Sequence, residues 1–259
     1  MKVKIREKMM IFLLAGAMFA FLTGCAAKHC DSDKPEDLVP AKLTLDARSD
    51  TKYMIDAYDP LECFNRRMYN FNYYFDTYFF LPVVSGYAFI TPDYIEYRIT
   101  NFFQNLREVK NLTNCLLQLK AEDSGITLGR FLVNSTIGLV GFYDPATDFG
   151  WLRRNEDFGQ TLGYWNVGAG PYVVLPVFGP STCRDTAGLL FDGAVKSVCT
   201  DAALDNAESK SAILAAANAL NAIDARHRVS FRYYKSGSPF EYDLVRRLYL
   251  DLREIQIAK

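Results

Sequence analysis

Histidine occurs twice, as His29 and His227. That scarcity argues against a multi-histidine metal site and against histidine-centred acid–base work. No Walker A loop, no H-E-x-x-H and no G-x-S-x-G is present. Ser49-Asp50-Thr51-Lys52 fits S-x-x-K but lies in a polar, proline-containing stretch with no pocket around it. Glu156-Asp157 is an adjacent carboxylate pair, and adjacency alone does not make an acid and a base. Gly168-Ala169-Gly170-Pro171 has no helix after it to hold a phosphate. His227, between Arg226 and Arg228 near a helix end, reads as a surface residue favoured by the helix dipole. The chain is therefore read as a non-enzyme with no cofactor and no metal site.

Cysteine carries the clearest chemistry. Lys2, Lys4, Arg6 and Lys8 precede an apolar stretch at 9–22, shorter than the roughly 20 residues a spanning helix needs. The stretch ends Leu22-Thr23-Gly24-Cys25. This resembles a bacterial lipoprotein signal, whose cysteine thiol takes a diacylglycerol and whose freed amine is acylated. Residues 1–24 are read as signal peptide, Cys25 as the lipid-attachment site, and 25–58 as a lipidated tether containing Pro35 and Pro40. Residues 59–259 are read as one domain. Ala26 stands where an Asp would favour retention in the inner membrane, which points to the outer one. Of Cys30, Cys63, Cys115, Cys183 and Cys199, the last two are the candidate disulfide pair; Cys63 and Cys115 are read as buried free thiols.

The elements that must carry any site follow from periodicity. The chain is 259 residues long, half apolar, and carries 19 Phe, 16 Tyr and a net charge of −1. That supports a sizeable core and gives no basic excess for nucleic acid. Residues 61–80 place Phe64, Met68, Phe71, Phe75 and Phe79 at helical spacing, with Pro82 expected to stop the helix. Tyrosines widen the stripe to most of the circumference, as on a helix with one side on protein and one in a membrane interface, or on a helix buried on both sides. Pro92-Asp93 opens a long helical stripe running to Leu119, with a break expected in it. Further helices are expected at 124–139, 208–226 and 242–255. The glycines and prolines crowded into 159–180 predict an ordered, close-packed loop.

Several segments together resemble the MlaA (VacJ) family of outer-membrane lipoproteins. They are Asp59-Pro60-Leu61-Glu62 with Phe64-Asn65-Arg66, Met68-Tyr69-Asn70-Phe71-Asn72, Asn101-Phe102-Phe103-Gln104-Asn105-Leu106, Gly129-Arg130-Phe131 with Asn134-Ser135-Thr136-Ile137-Gly138, Phe158-Gly159-Gln160-Thr161-Leu162-Gly163, Gly168-Ala169-Gly170-Pro171-Tyr172, and Gly179-Pro180 with Arg184-Asp185. The likeness covers roughly residues 59–188 and Asp224-Ala225-Arg226; after Phe191 the chain departs from the family's pattern. The resemblance implies a mainly α, ring-shaped helical bundle in the inner leaflet of the outer membrane, with little or no sheet and an amphipathic channel. It implies extraction of misplaced phospholipid from the outer leaflet and delivery to a soluble periplasmic carrier, with an inner-membrane ABC transporter beyond and a trimeric porin as neighbour. On that footing Asn70 and Phe71 are expected to control access, and Tyr172 either lines the channel or closes the ring by packing. Arg66 and Arg130 are expected to meet lipid phosphates, whereas Arg184-Asp185 reads as a structural pair or cap. The competing reading is an envelope scaffold lipoprotein that binds a protein partner through its aromatic face.

Overall fold

A computed structural model describes residues 57–204 and 209–259. The expected signal peptide, the expected tether up to residue 56, Cys25, Cys30, His29 and the S-x-x-K match lie outside the described residues. Nine α-helices, one π turn and one two-stranded sheet make up the described residues. They are α1 (Glu62–Phe75), the π turn (Asp76–Phe80), α2 (Leu81–Ile90), α3 (Asp93–Leu117), α4 (Ala121–Thr136), α5 (Pro145–Asp148), α6 (Phe158–Tyr164), β1 (Tyr172–Leu175), β2 (Gly179–Thr182), α7 (Cys183–Ala203), α8 (Lys210–His227) and α9 (Glu241–Ile257).

The fold is mainly helical, as expected, and its elements pack in a closed circuit. α1 lies on β1, β2 meets α7 and α9, and α7 runs along α6. α6 touches α3, α3 touches α8, α8 touches α2, and the π turn joins α2 back to α1. No helix among the described residues is long and apolar enough to cross a membrane.

Three local expectations are corrected. Pro82 does not stop the aromatic helix, because it falls in the first turn of α2, directly after the π turn. The widened turn takes up the misfit of a ring that would clash with a carbonyl four residues back in a regular α-helix. The stripe from Pro92 has no internal break: α3 is a continuous helix of 25 residues, and the chain turns at Leu119, whose φ is +58°. The Gly/Pro-rich stretch is partly regular, holding α6 and an antiparallel hairpin that pairs Tyr172 with Thr182 and Leu175 with Gly179. Gly179, at φ +81°, supplies the left-handed residue that ends the hairpin loop.

The expected disulfide is also corrected. Cys183 and Cys199 are exposed free thiols, and Cys63 is disulfide-bonded. Cys115 is a buried free thiol, as expected, and burial pushes it up to about 11.

The larger correction concerns the core. Among the described residues, eight apolar side chains are buried against 23 polar or charged ones, while 44 large apolar side chains stand exposed. On α1 the buried row is Asn65, Tyr69 and Asn72, not the phenylalanine stripe. On α3 it is Asn105, Glu108, Asn111 and Asn114 beside Phe103 and Cys115, with Leu106 and Leu116 outside. On α9 it is Glu241, Tyr242, Arg246 and Arg253, with Leu244, Leu248 and Leu252 outside.

Candidate functional site

The interior is organised by side chains that satisfy each other. Asn65 and Asn72 lie two turns apart on α1 and act as a substitute strand along the free edge of β1. Asn65 Nδ2 donates to the Tyr172 carbonyl at 3.1 Å, and its Oδ1 accepts from Val174 N at 2.8 Å. Asn72 Nδ2 donates to the Leu175 carbonyl at 2.9 Å, and its Oδ1 accepts from Val177 N at 2.7 Å. Val177 is held at φ +69°, a conformation that a β-branched residue rarely adopts. Asp59 anchors the start of the domain, accepting from Asn65 Nδ2 at 2.8 Å, from Arg246 Nη1 at 3.2 Å and from the Tyr242 hydroxyl. Glu241 accepts from the Tyr69 hydroxyl at 2.8 Å.

A cleft of about 200 Å³ opens beside the hairpin between α6, α7 and α9. Leu175, Phe178 and Leu189 give it an apolar wall, and Asp157, Asp185, Asp192 and Arg253 a charged one. Arg253 joins the charged groups: its Nη1 and Nη2 donate to Asp157 at 2.7 and 2.8 Å, and its Nε and Nη2 to Asp185 at 3.1 and 2.8 Å. Tyr249 adds a hydroxyl to Asp185 at 2.8 Å. Burial would raise Asp157 and Asp185, but Arg253 outweighs it and holds both below the usual carboxylate range. For Asp192 burial is the larger effect and raises it, despite the 3.0 Å bond from Asn114 and the charge of Lys110. The helices come close here because of glycine: a Cβ on Gly188 of α7 would run into the Gly159 backbone of α6.

Glu156 and Asp157, dismissed as an acid–base pair, serve as two separate anchors. Extended backbone sends Glu156 to Gln118 at 3.0 Å and Asp157 to Arg253. Arg184-Asp185 is structural as expected, with Asp185 N donating to the Thr182 cap at 3.1 Å.

The expected site residues fall in three places. Asn70 and Phe71 share the outer side of α1: Phe71 is exposed beside Phe75, and Asn70 accepts from the Tyr234 hydroxyl. Tyr172 lies behind α1 in a cluster with Tyr69, Val174 and Tyr242, 1% exposed, and its buried hydroxyl has no hydrogen-bond partner among the described residues. Arg66 is half-exposed, stacked 4.3 Å over the Tyr242 ring and paired with Glu62 and Asp243. Arg130 lies far from these and is fully enclosed. Its Nε donates to Glu108 at 3.0 Å, its Nη2 to both Asp144 oxygens, and its Nη1 to Thr147 and the Trp151 carbonyl. No N–H of Arg130 is left for a phosphate, so it is an internal tie between α3, α4 and α5. Asp59, Asp157, Asp192, Tyr249 and Arg253 were not anticipated as a connected interior; polar residues at helical spacing, opposite the apolar stripe, were the signal.

A mainly helical protein with a polar interior, an apolar surface and a cleft walled by both is the class that these features define. The pattern of the MlaA lipoprotein family matches residues 57–256. The chain belongs to that family. The intermembrane phospholipid transport system lipoprotein MlaA of Escherichia coli K12 is 40% identical over 139 residues, covering 52% of this chain and 55% of that protein. The lipoprotein of the same name from Haemophilus influenzae is 35% identical over 149 residues, covering 56% and 60%. An uncharacterized protein of Rickettsia prowazekii is 38% identical over 131 residues, covering 51% and 52%. The chain thus spans about half the length of the curated relatives it matches. A solved structure reported as the structural basis for maintenance of bacterial outer membrane lipid asymmetry matches with a TM-score of 0.60 at 29% identity, covering 78% of this chain and all of that one.

Proposed function

We propose that this protein is an outer-membrane lipoprotein, anchored through Cys25, that removes phospholipids mislocalised in the outer leaflet and passes them to a periplasmic carrier. The observation that carries the proposal is the inverted distribution of polarity. An apolar surface suits a body sunk in one leaflet, because helices satisfy their own backbone hydrogen bonds even in lipid. Exposed Tyr78, Phe79, Phe89 and Tyr97 supply an interface collar. A polar interior beside an apolar wall suits an amphiphile, whose head and tails need different surroundings. The cleft is below the roughly 300–1,000 Å³ typical of pockets that enclose a whole drug-sized ligand, so it would receive part of a lipid in transit. In this reading the exposed outer side of α1, with Asn70 and Phe71, controls entry, and Tyr172 closes the ring by packing. Arg66, half-exposed and paired with Glu62 and Asp243, is the proposed head-group contact. The trimeric porin and the inner-membrane transporter belong to the same proposal. Membership of a family whose relatives are named for intermembrane phospholipid transport supports it.

The test is the amount of outer-leaflet phospholipid open to added phospholipase in cells lacking the gene. It is expected to rise on deletion and to return with the wild-type gene. Phe178→Asp and Leu189→Asp, which charge the apolar wall, are expected to leave abundance and membrane fractionation intact but not to restore asymmetry. Full restoration by both would favour the scaffold reading.

A further inference from the structure

A second cavity, of about 500 Å³, lies on the other side of α3, walled by Arg98, Asn101, Ile137, Tyr143, Asp144 and Asp148. Arg98 is its unusual member. The guanidinium lies over two rings, 4.5 Å from the centre of Tyr94 and 3.9 Å from that of Tyr143. The two hydroxyls meet at 2.9 Å. Its Nη1 donates to the Phe142 carbonyl at 3.4 Å, the guanidinium also meets the Tyr94 hydroxyl, and its buried Nε has no partner among the described residues. Among the described residues no carboxylate pairs with it: Asp144 is taken by Arg130 and Arg153 at 2.9 and 3.3 Å, and Glu96 by His227 at 3.1 Å. Asp148, in the same cavity, is exposed and likewise has no ion-pair partner among the described residues. Ile137, also in the lining, is exposed and apolar.

A guanidinium held over two rings, with no carboxylate on it among the described residues, keeps N–H donors for a phosphate. An open carboxylate in the same cavity suits an ammonium, and the exposed Ile137 suits acyl chains. We infer that this cavity binds the head group of a zwitterionic phospholipid bearing a primary amine, with Arg98 on the phosphate and Asp148 on the ammonium. The inference deepens the proposed transport role and rests on it, naming a substrate preference and a holding site apart from the cleft.

The test is native mass spectrometry on the full chain purified in detergent, with equimolar short-chain phosphatidylethanolamine and phosphatidylglycerol. Wild type is expected to favour the ethanolamine lipid. Loss of one charge-assisted contact is expected to weaken binding roughly tenfold. Arg98→Gln should do so for both lipids, and Asp148→Asn for the ethanolamine lipid alone. Glycerophosphoethanolamine, which lacks acyl chains, should compete poorly; competition equal to the lipid would overturn the lipid assignment. Arg98→Lys, which keeps the charge but not the fork, serves as a second variant, and thermal melting checks the fold of each. Unchanged binding in folded Arg98 and Asp148 variants overturns this inference and leaves the transport reading standing. Failure of the wild type to bind either lipid overturns both.

Discussion

Asn72 shows how much one amide does here. It satisfies a carbonyl and an N–H of the hairpin together and holds Val177 in its left-handed conformation. Asn72→Leu keeps the branched shape in a larger side chain but orphans both backbone groups; a fully buried one costs about 1–3 kcal/mol unsatisfied, and these two are part-buried. A loss of about 2–4 kcal/mol is therefore expected, read as a lower urea midpoint in detergent. An unchanged midpoint would show that the hairpin edge does not depend on the asparagine. The asparagines were visible in the sequence as part of the family likeness, at 65, 70, 72, 105 and 134, but their use was not. A sequence shows that Asn65 and Asn72 share a face of α1; it does not show that the neighbour on that face is a strand edge with bonds to fill. For the same reason Arg130 read as a free cation, although three acidic or hydroxyl partners and a carbonyl enclose it.

At the level of elements, α9 is fastened to α6 and α7 through Arg253. Asp157 and Asp185 have lowered values in the folded protein, so their contribution is complete above the ordinary carboxylate pKa of about 4 and is lost as pH falls through the folded values. Asp192 works the other way: its raised value makes the fold prefer its proton, and that preference fades as pH rises through the folded value. Protection of α9 amides from hydrogen exchange, corrected for the intrinsic rate, is expected to fall below about pH 4, ahead of that of α3 and α4. Arg253→Met should remove that acid step, since the carboxylates then lose the cation that depresses them; an unaltered profile would disprove the clasp. Element positions were mostly legible from periodicity, α8 and α9 within a few residues. Pro82 was misread because its cost in a helix depends on the turn before it, which a π turn relieves. The break expected before Leu119 is absent: asparagines that interrupt the apolar stripe form the buried face of one continuous helix.

For the molecule as a whole, the apolar half of the composition was read as material for a core, yet among the described residues 44 large apolar side chains stand exposed and eight apolar ones are buried. Periodicity finds two faces on a helix but does not say which one meets the neighbour; that follows from the medium around the protein. The closed circuit and scarce sheet came from the family likeness and agree with the packing. The polar interior has a thermal consequence. Unfolding raises the heat capacity where apolar surface becomes newly wet and lowers it where polar surface does. Ordinary globular chains gain about 12–15 cal/mol/K per residue. This protein, opened by heat in detergent that already coats its apolar exterior, should fall well short of that in scanning calorimetry. Its stability would then vary gently with temperature, with little of the curvature that makes other proteins fail in the cold.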